Sequence, residues 1–273
     1  MSRAPIGWDH PDTLRFYRRF QRHHQRYQRA NRELVRAAEI GPGMRVLDVA
    51  AGDGGTARAA LAKLGPRGTL VCFEPAAAMR EGGRRQLDDP RVEWTNDWPT
   101  ASSCFDRVLC GAAVWQLEPL PRAFRKIHGL LRRAGRFCFD VPALYLGESD
   151  PPGGGRDPWL LELPAALASE AASAKLLPSS APGAGGGPSA LDRFSLETML
   201  DAAGFDARRW QFAYRFRQPA YREWLKIPPT TDRLLLGLGA EERARLIDRA
   251  YERVDAGSWR KEQWLGWTAI RRG

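Results

Sequence analysis

The sequence predicts an α/β protein built on a doubly wound, mostly parallel sheet with helices on both faces. Three observations carry this reading. Apolar runs of strand length alternate with helix-forming runs from about residue 45 to residue 141, which implies right-handed crossovers and parallel strands. The run Phe105–Ala112 is almost wholly apolar, as a strand buried on both faces has to be. The stretch Arg45–Ala57 reads as a buried strand, a turn through Gly52-Asp53-Gly54-Gly55, and a helix N-terminus.

Taken in order, residues 12–39 read as one long helix. Pro11 and Asp12 start it, and Gly41-Pro42-Gly43 stops it. Leu14, Tyr17, His24, Tyr27, Leu34, Val35 and Ala38 share one face at helical spacing, and arginines fill most of the remainder. Strands follow at Arg45–Ala50, Thr69–Phe73, Arg91–Thr95, Phe105–Ala112 and Arg136–Val141. The helices between them are Thr56–Leu64, Ala76–Leu87 and Leu120–Leu131, the second weakened by Gly82-Gly83.

After Pro142 the composition shifts. Gly/Pro-rich stretches at 151–155 and 182–188 bracket an apolar helix, Trp159–Leu177, as a lid or insertion would. The helix Phe194–Ala203 is closed by Gly204, and strands at Trp210–Phe216 and Gln263–Arg271 complete a seven-stranded sheet. Between them Gln218–Ala256 is largely helical, with breaks at Pro228-Pro229 and Gly237/Gly239. The expected organisation is a helical cap at 1–40, a cofactor-binding core at 41–145, the Gly/Pro-rich segment at 146–191, and completion of the core at 192–273 with a helical insertion at 219–258.

Composition narrows the function. A hydrophobic content of 43% is ordinary for a globular protein, and no apolar run is long enough to span a bilayer. Residues 1–12 lack the apolar segment of a signal peptide. Cys72, Cys104, Cys110 and Cys138 form no CxxC pair and sit mostly in strand-like runs. They read as reduced thiols in a cytoplasmic protein, with no metal site expected. The net charge of +10 comes almost entirely from arginine. With many Ala, Gly and Pro residues this is also what a GC-rich genome produces, so nucleic acid is not the expected partner.

An open parallel sheet binds ligands beyond the carboxyl ends of its strands. Three candidates lie at such ends: the Asp48–Gly55 turn, Glu74, and Asn96-Asp97-Trp98. Glycines let a ligand approach the backbone, and the helix N-terminus offers free N–H groups. Glu74 suits a ribose diol, Asp97 an adenine amino group, and Trp98 a stacking ring. A carboxylate at Asp48, inside the strand end, would repel a pyrophosphate; it favours a cationic tail, an amino group or a sulfonium.

Val46-Leu47-Asp48-Val49-Ala50-Ala51-Gly52-Asp53-Gly54 resembles the first motif of class I S-adenosylmethionine-dependent methyltransferases. The resemblance runs on through Glu74, Phe105-Asp106-Arg107-Val108-Leu109-Cys110 and Leu130-Leu131-Arg132-Arg133-Ala134-Gly135-Arg136. It implies a Rossmann-like sheet with an antiparallel last strand and S-adenosyl-L-methionine as cofactor. It also implies that Asp48, Gly52 and Gly54 hold the methionine part, Glu74 the ribose and Asp97 the adenine. Ala50, Pro75, Asn96 and Trp98 flank these positions, and Tyr17 joins them as a further cofactor contact. Ala50 stands where the family usually has a glycine, a position that asks for a small residue.

The resemblance further suggests the small-molecule branch: methyl transfer to an O, N or C atom of a small acceptor, with secondary metabolism as the setting. Many such members carry His-His after the fourth strand; here those positions are Trp115 and Gln116. The base candidates are then His24 and Tyr27, followed by His10, His23, Tyr145 and Glu118, while His128 reads as structural. Trp115, Gln116, Tyr145, Trp159 and Trp224 are candidates for the acceptor pocket. Two rival readings are a nucleic-acid methyltransferase and a cofactor-binding protein without methyl transfer. The first lacks the Asn/Asp-Pro-Pro-aromatic motif after the fourth strand.

Overall fold

The computed structural model describes residues 6–148, 165–167, 169–170, 191–231, 235 and 238–273. The Gly/Pro-rich stretches and most of the expected helix Trp159–Leu177, Trp159 included, lie outside the described residues.

The sheet has seven strands in the order β3-β2-β1-β4-β5-β7-β6. They are β1 (Arg45–Val49), β2 (Thr69–Phe73), β3 (Val92–Thr95), β4 (Phe105–Cys110), β5 (Leu131–Pro142), β6 (Phe205–Arg217) and β7 (Trp259–Arg271). The pairs β1–β2, β1–β4, β2–β3 and β4–β5 are parallel, and β5–β7 is antiparallel. This is the expected doubly wound, mostly parallel, Rossmann-like sheet.

The apolar runs on β1 and β4 are explained by burial of both faces. Along β1, Leu47 and Val49 join a cluster with Val108, Phe124, Phe137 and Phe139. Val46 joins the opposite cluster, with Leu34, Ala57, Leu61 and Leu109. Alternate residues of a strand point to opposite faces, so each needs an apolar side chain. The helices that cover the sheet are α2 (Arg26–Ala37), α3 (Gly55–Leu64), α4 (Ala77–Gln86), α5 (Leu120–Leu130) and α6 (Arg193–Ala202). Asp192 caps α6 by accepting from the Ser195 N–H at 2.8 Å.

The long helix expected over 12–39 is in fact two, α1 (Pro11–His23) and α2. His24 leaves helical geometry at φ −134° and ψ 135°. The cause is packing. The chain divides into two compact units, one holding the described residues within 1–25, 150–189 and 214–262 and the other those within 26–149, 190–213 and 263–273. The apolar face of α1 (Leu14, Phe16, Phe20) is buried in the first unit, and that of α2 (Ala30, Leu34, Val35) in the second.

The helix α4 continues through Gly82 and Gly83 to Gln86. Gly83 is there because Trp94 of β3 lies against it: an added Cβ would stand 2.1 Å from Trp94 Cη2. The same ring reaches Gly54, whose added Cβ would be 3.2 Å from Cη2. One tryptophan thus fills space left by two glycines that are far apart in sequence.

In the first unit, α1 is joined by α7 (Gln218–Leu225), α8 (Pro228–Thr231) and α9 (Ala240–Tyr251). Pro228-Pro229, expected as a break, opens the short α8; proline is tolerated there because the first N–H groups of a helix lack intrahelical partners. Buried Arg243 donates to the carbonyls of Pro228 (2.7 Å) and Leu235 (3.2 Å), tying down the chain before α9. Buried Lys226 pairs with Glu223 at 2.6 Å and with Asp248 at 2.7 Å. Among the described residues no helix is long and apolar enough to cross a membrane. All four cysteines are free thiols.

Candidate active site

The glycine turn between β1 and α3 is held in left-handed geometry. Ala50, Gly52 and Gly54 have φ of 55°, 57° and 87°. The Ala51 N–H donates to Phe73 O at 3.1 Å and the Gly54 N–H to Ala51 O at 2.9 Å, so the chain folds back over the strand ends. Position 50 therefore demands more than a small side chain: an L-residue with a Cβ is strained there by about 1–2 kcal/mol. Ala50→Gly is expected to stabilise the protein by about 0.5–1 kcal/mol, the relief of that strain less the extra backbone freedom of glycine in the unfolded chain. Thermal unfolding of the two proteins checks it, and a lower midpoint in the variant would contradict the strain argument.

Asp48 lies beneath this turn. Its register partners are Cys72 on β2 and Leu109 on β4, and it is fully buried. Neither carboxyl oxygen makes a hydrogen bond. Burial pushes its pKa well above the usual carboxylate range, and the Glu74 charge pushes the same way. The Ala57 N–H, in the first turn of α3, opposes the shift without meeting hydrogen-bond geometry. A carboxyl in this state calls for a cationic donor.

Glu74, one residue beyond β2, is 7% exposed. Its Oε2 accepts from the Gly52 N–H at 2.7 Å and its Oε1 from the Ala76 N–H at 2.9 Å. It therefore braces the glycine turn from the neighbouring strand, a role that spacing alone does not reveal. Pro75 follows it, its carbonyl accepting from Arg80 Nη1 at 3.0 Å.

Beyond β3, Asn96 and Asp97 are exposed and Trp98 is half-buried. The Trp98 ring packs on Phe73, the last residue of β2, with centroids 4.6 Å apart. The Asp97 N–H donates to Thr95 Oγ1 at 3.0 Å, which fixes the bend and leaves the carboxylate facing solvent. At the ends of β4 and β5, Trp115 and Tyr145 stack at 4.5 Å with an interplanar angle of 19°. Both are half-buried, and Gln116 beside them is exposed. The structure thus brings Trp115 and Tyr145 together, 30 residues apart in sequence.

Tyr27 of α2 is half-buried, and its hydroxyl accepts from Arg26 Nη1 at 3.3 Å. Buried Arg26 also lies 5.1 Å from the centre of the Trp264 ring. Tyr17, His24 and Trp224 belong to the first unit. Tyr17 meets Trp8 edge-on at 6.0 Å, and Trp224 stacks on Tyr221 at 5.5 Å. The His24 ring lies 5.2 Å from Phe20; burial lowers its pKa, and the Glu223 charge partly offsets this. His10 Nδ1 accepts from the Asp12 N–H at 3.2 Å as the cap of α1, and His23 lies 6.4 Å from His24. Glu118 is exposed. His128 packs edge-on against Phe205 at 5.2 Å.

The sequence reading passed over two features. Asn31 Oδ1 accepts from the Thr56 hydroxyl at 2.9 Å, linking α2 to the first turn of α3. Asp140, near the end of β5, is fully buried; its Oδ1 accepts from the Ala112 N–H at 2.7 Å, and its Oδ2 makes no hydrogen bond. The signal was available, since an acid near the end of an apolar strand is the same pattern that marks Asp48.

The sequence profile of the family described as "Methyltransferase domain" matches residues 22–209, more than half of the chain. The chain belongs to the class I S-adenosylmethionine-dependent methyltransferases. Family and fold give it S-adenosyl-L-methionine as cofactor. It is 29% identical over 124 residues to the demethylmenaquinone methyltransferase of Symbiobacterium thermophilum, a match over 42% of this chain and 49% of that protein. The chain therefore spans about half the length of that curated relative. Among solved structures it is similar to the YcgJ protein of Bacillus subtilis, with a TM-score of 0.55 at 15% identity over 90% of this chain and 99% of that one. It is similar as well to the Haemonchus contortus phosphoethanolamine N-methyltransferase 2 bound to S-adenosylhomocysteine, with a TM-score of 0.52 at 14% identity over 89% of this chain and 52% of that one. At these identities the structural likeness concerns the fold.

Proposed function

We propose that the protein transfers a methyl group from S-adenosylmethionine to a small-molecule acceptor with a planar, ring-containing body. The observation that carries this reading is the buried Asp48 carboxyl, with two unpartnered oxygens under a left-handed glycine turn. It fits the amino group of the cofactor's methionine part and would be poorly matched to a phosphate. In this reading Glu74 takes the ribose hydroxyls while bracing Gly52, and Asp97 and Trp98 take the adenine. When bound, the cofactor supplies an electrophilic methyl group on a sulfonium.

The stacked pair Trp115–Tyr145 supports a ring-shaped acceptor, because it offers an aromatic wall at the ends of β4 and β5. The relative from Symbiobacterium carries a quinone in its name, which agrees with a ring acceptor. The arginines support the small-molecule reading over nucleic acid where they pair within the chain: Arg36–Glu33, Arg132–Asp106 and Arg136–Glu39 lie at 2.5, 2.7 and 2.7 Å.

The test is methyl transfer from S-adenosylmethionine to a panel of phenols, hydroquinones and aromatic amines, with structured RNA as a control. Turnover of a ring compound supports the reading, and turnover of RNA alone overturns it. Trp115→Ala is expected to raise the acceptor KM by about 5- to 10-fold, the loss of an aromatic contact worth about 1 kcal/mol. Affinity for S-adenosylhomocysteine should stay within about two-fold of the parent, as calorimetry would show; a KM unchanged in the variant would remove Trp115 from the acceptor wall.

A further inference from the structure

Asp140 is a buried acid that neither the cofactor contacts nor the aromatic wall accounts for. It stands near the end of β5, opposite Gly266 of β7, so no side chain faces it from that register position. Its Oδ1 takes the N–H of Ala112, two residues beyond β4. Ala112 is left-handed, with φ of 51°, so the chain turns sharply at that bond. Three residues later comes Trp115, within the short 3-10 helix Val114–Gln116. Tyr145, stacked on Trp115, follows Asp140 on the chain running out of β5. One carboxyl therefore ties the strand leading to Tyr145 to the turn leading to Trp115.

We propose that Asp140 is a positioning residue: through Ala112 it sets the turn that carries Trp115, and its charge state sets how firmly that turn is held. This rests on the reading of Trp115 and Tyr145 as the acceptor wall. The charged and titratable groups that face Asp140 are Arg26 from α2 and Cys110 from β4. Burial raises the Asp140 carboxyl to about 7, with the Ala112 N–H and the Arg26 charge holding it lower than burial alone would. Burial keeps the Cys110 thiol protonated, so it does not titrate in the same range. An ionised carboxylate accepts a stronger hydrogen bond than a neutral carboxyl. The turn is thus held more tightly above the midpoint than below it, and acceptor binding follows.

The experiment uses the full chain and needs no acceptor. The near-ultraviolet circular dichroism of the parent minus that of Trp115→Phe isolates the Trp115 signal, followed from pH 5.5 to 8.5. It is expected to titrate with a midpoint near 7 in the parent and to be flat in Asp140→Asn, which keeps an oxygen for Ala112 but has no charge to lose. In Asp140→Ala, hydrogen exchange at the Ala112 amide is expected to quicken by about 5-fold, the equivalent of one hydrogen bond of about 1 kcal/mol. Ala112→Gly in that background, which relieves the left-handed strain, is expected to restore part of the Trp115 signal. A Trp115 signal that titrates alike in parent and Asp140→Asn overturns the proposal, as does unchanged Ala112 exchange in Asp140→Ala. Calorimetry with S-adenosylhomocysteine on the parent separates the two claims. Absence of binding there defeats the functional reading, while the Ala112 and Trp115 signals still decide the role of Asp140.

Discussion

Asp48→Asn is expected to weaken S-adenosylhomocysteine binding by about 10- to 100-fold, because a hydrogen bond between charged partners contributes about 1.5–3 kcal/mol. That ligand keeps the amino group and lacks the sulfonium, so the loss reports the amino contact. Stability should move the opposite way. The Asp48 pKa is raised in the folded protein by burial and by Glu74. In the unfolded chain the acid ionises near pH 4. As pH rises above that value the unfolded state gains from ionisation before the folded state does, so the parent loses stability up to its raised folded pKa. Asparagine removes this loss. The thermal midpoint of the variant should gain on that of the parent as pH rises from 5 toward the raised folded pKa and level off beyond it. Thermal scans at pH 5, 7 and 9 and calorimetry at pH 7 give both readouts; unchanged affinity would remove Asp48 from the cofactor site.

Gly83→Ala is expected to destabilise the protein by about 2 kcal/mol, against the gain of about 1 kcal/mol that alanine gives in a helix interior. The new Cβ would meet three atoms of the Trp94 ring at 2.1, 2.7 and 2.8 Å. The ring has little room to yield, because it is buried in the apolar cluster of that face and also lies against Gly54, in the turn after Asp48. The thermal midpoint should fall by about 4–8 °C. The double variant Gly83→Ala/Trp94→Leu should recover most of the loss relative to Trp94→Leu alone. A midpoint equal to or above the parent's would show that helix propensity outweighs the clash.

Much of the sheet was legible in the sequence because burial on both faces leaves a plain mark: a run such as Phe105–Cys110 has few other uses. The strand–turn–helix at Arg45–Leu64 was legible for the same reason, with the glycines marking the reversal. The break at His24 was not, since no glycine or proline marks it and its cause is the packing of α1 and α2 in different units. Gly83 looks out of place in a helix when only the sequence is considered, because its reason, Trp94, arrives on another strand. Within the site, Asp48 and Glu74 were found from strand ends, yet the bond from Gly52 to Glu74 required the register of β1 on β2. Asp140 has no glycine turn beside it to mark it as Asp48 has, although an acid near the end of an apolar strand carries the same physical signal.

The division of the chain bears on how the protein folds and how it can be cut. The first unit is drawn from three separate stretches of sequence, with the long stretch of the second unit between its first two. Closing such a gap carries an entropic cost that grows with the length of chain enclosed. When the second unit is folded, it shortens that gap; when it unfolds, the full cost returns. The first unit should therefore not outlast the second on heating or in denaturant, and no single contiguous fragment can reproduce it. For anyone trimming or grafting this protein, the residues of 26–149, 190–213 and 263–273 are the part to keep whole, and the pieces of the other unit have to travel with them.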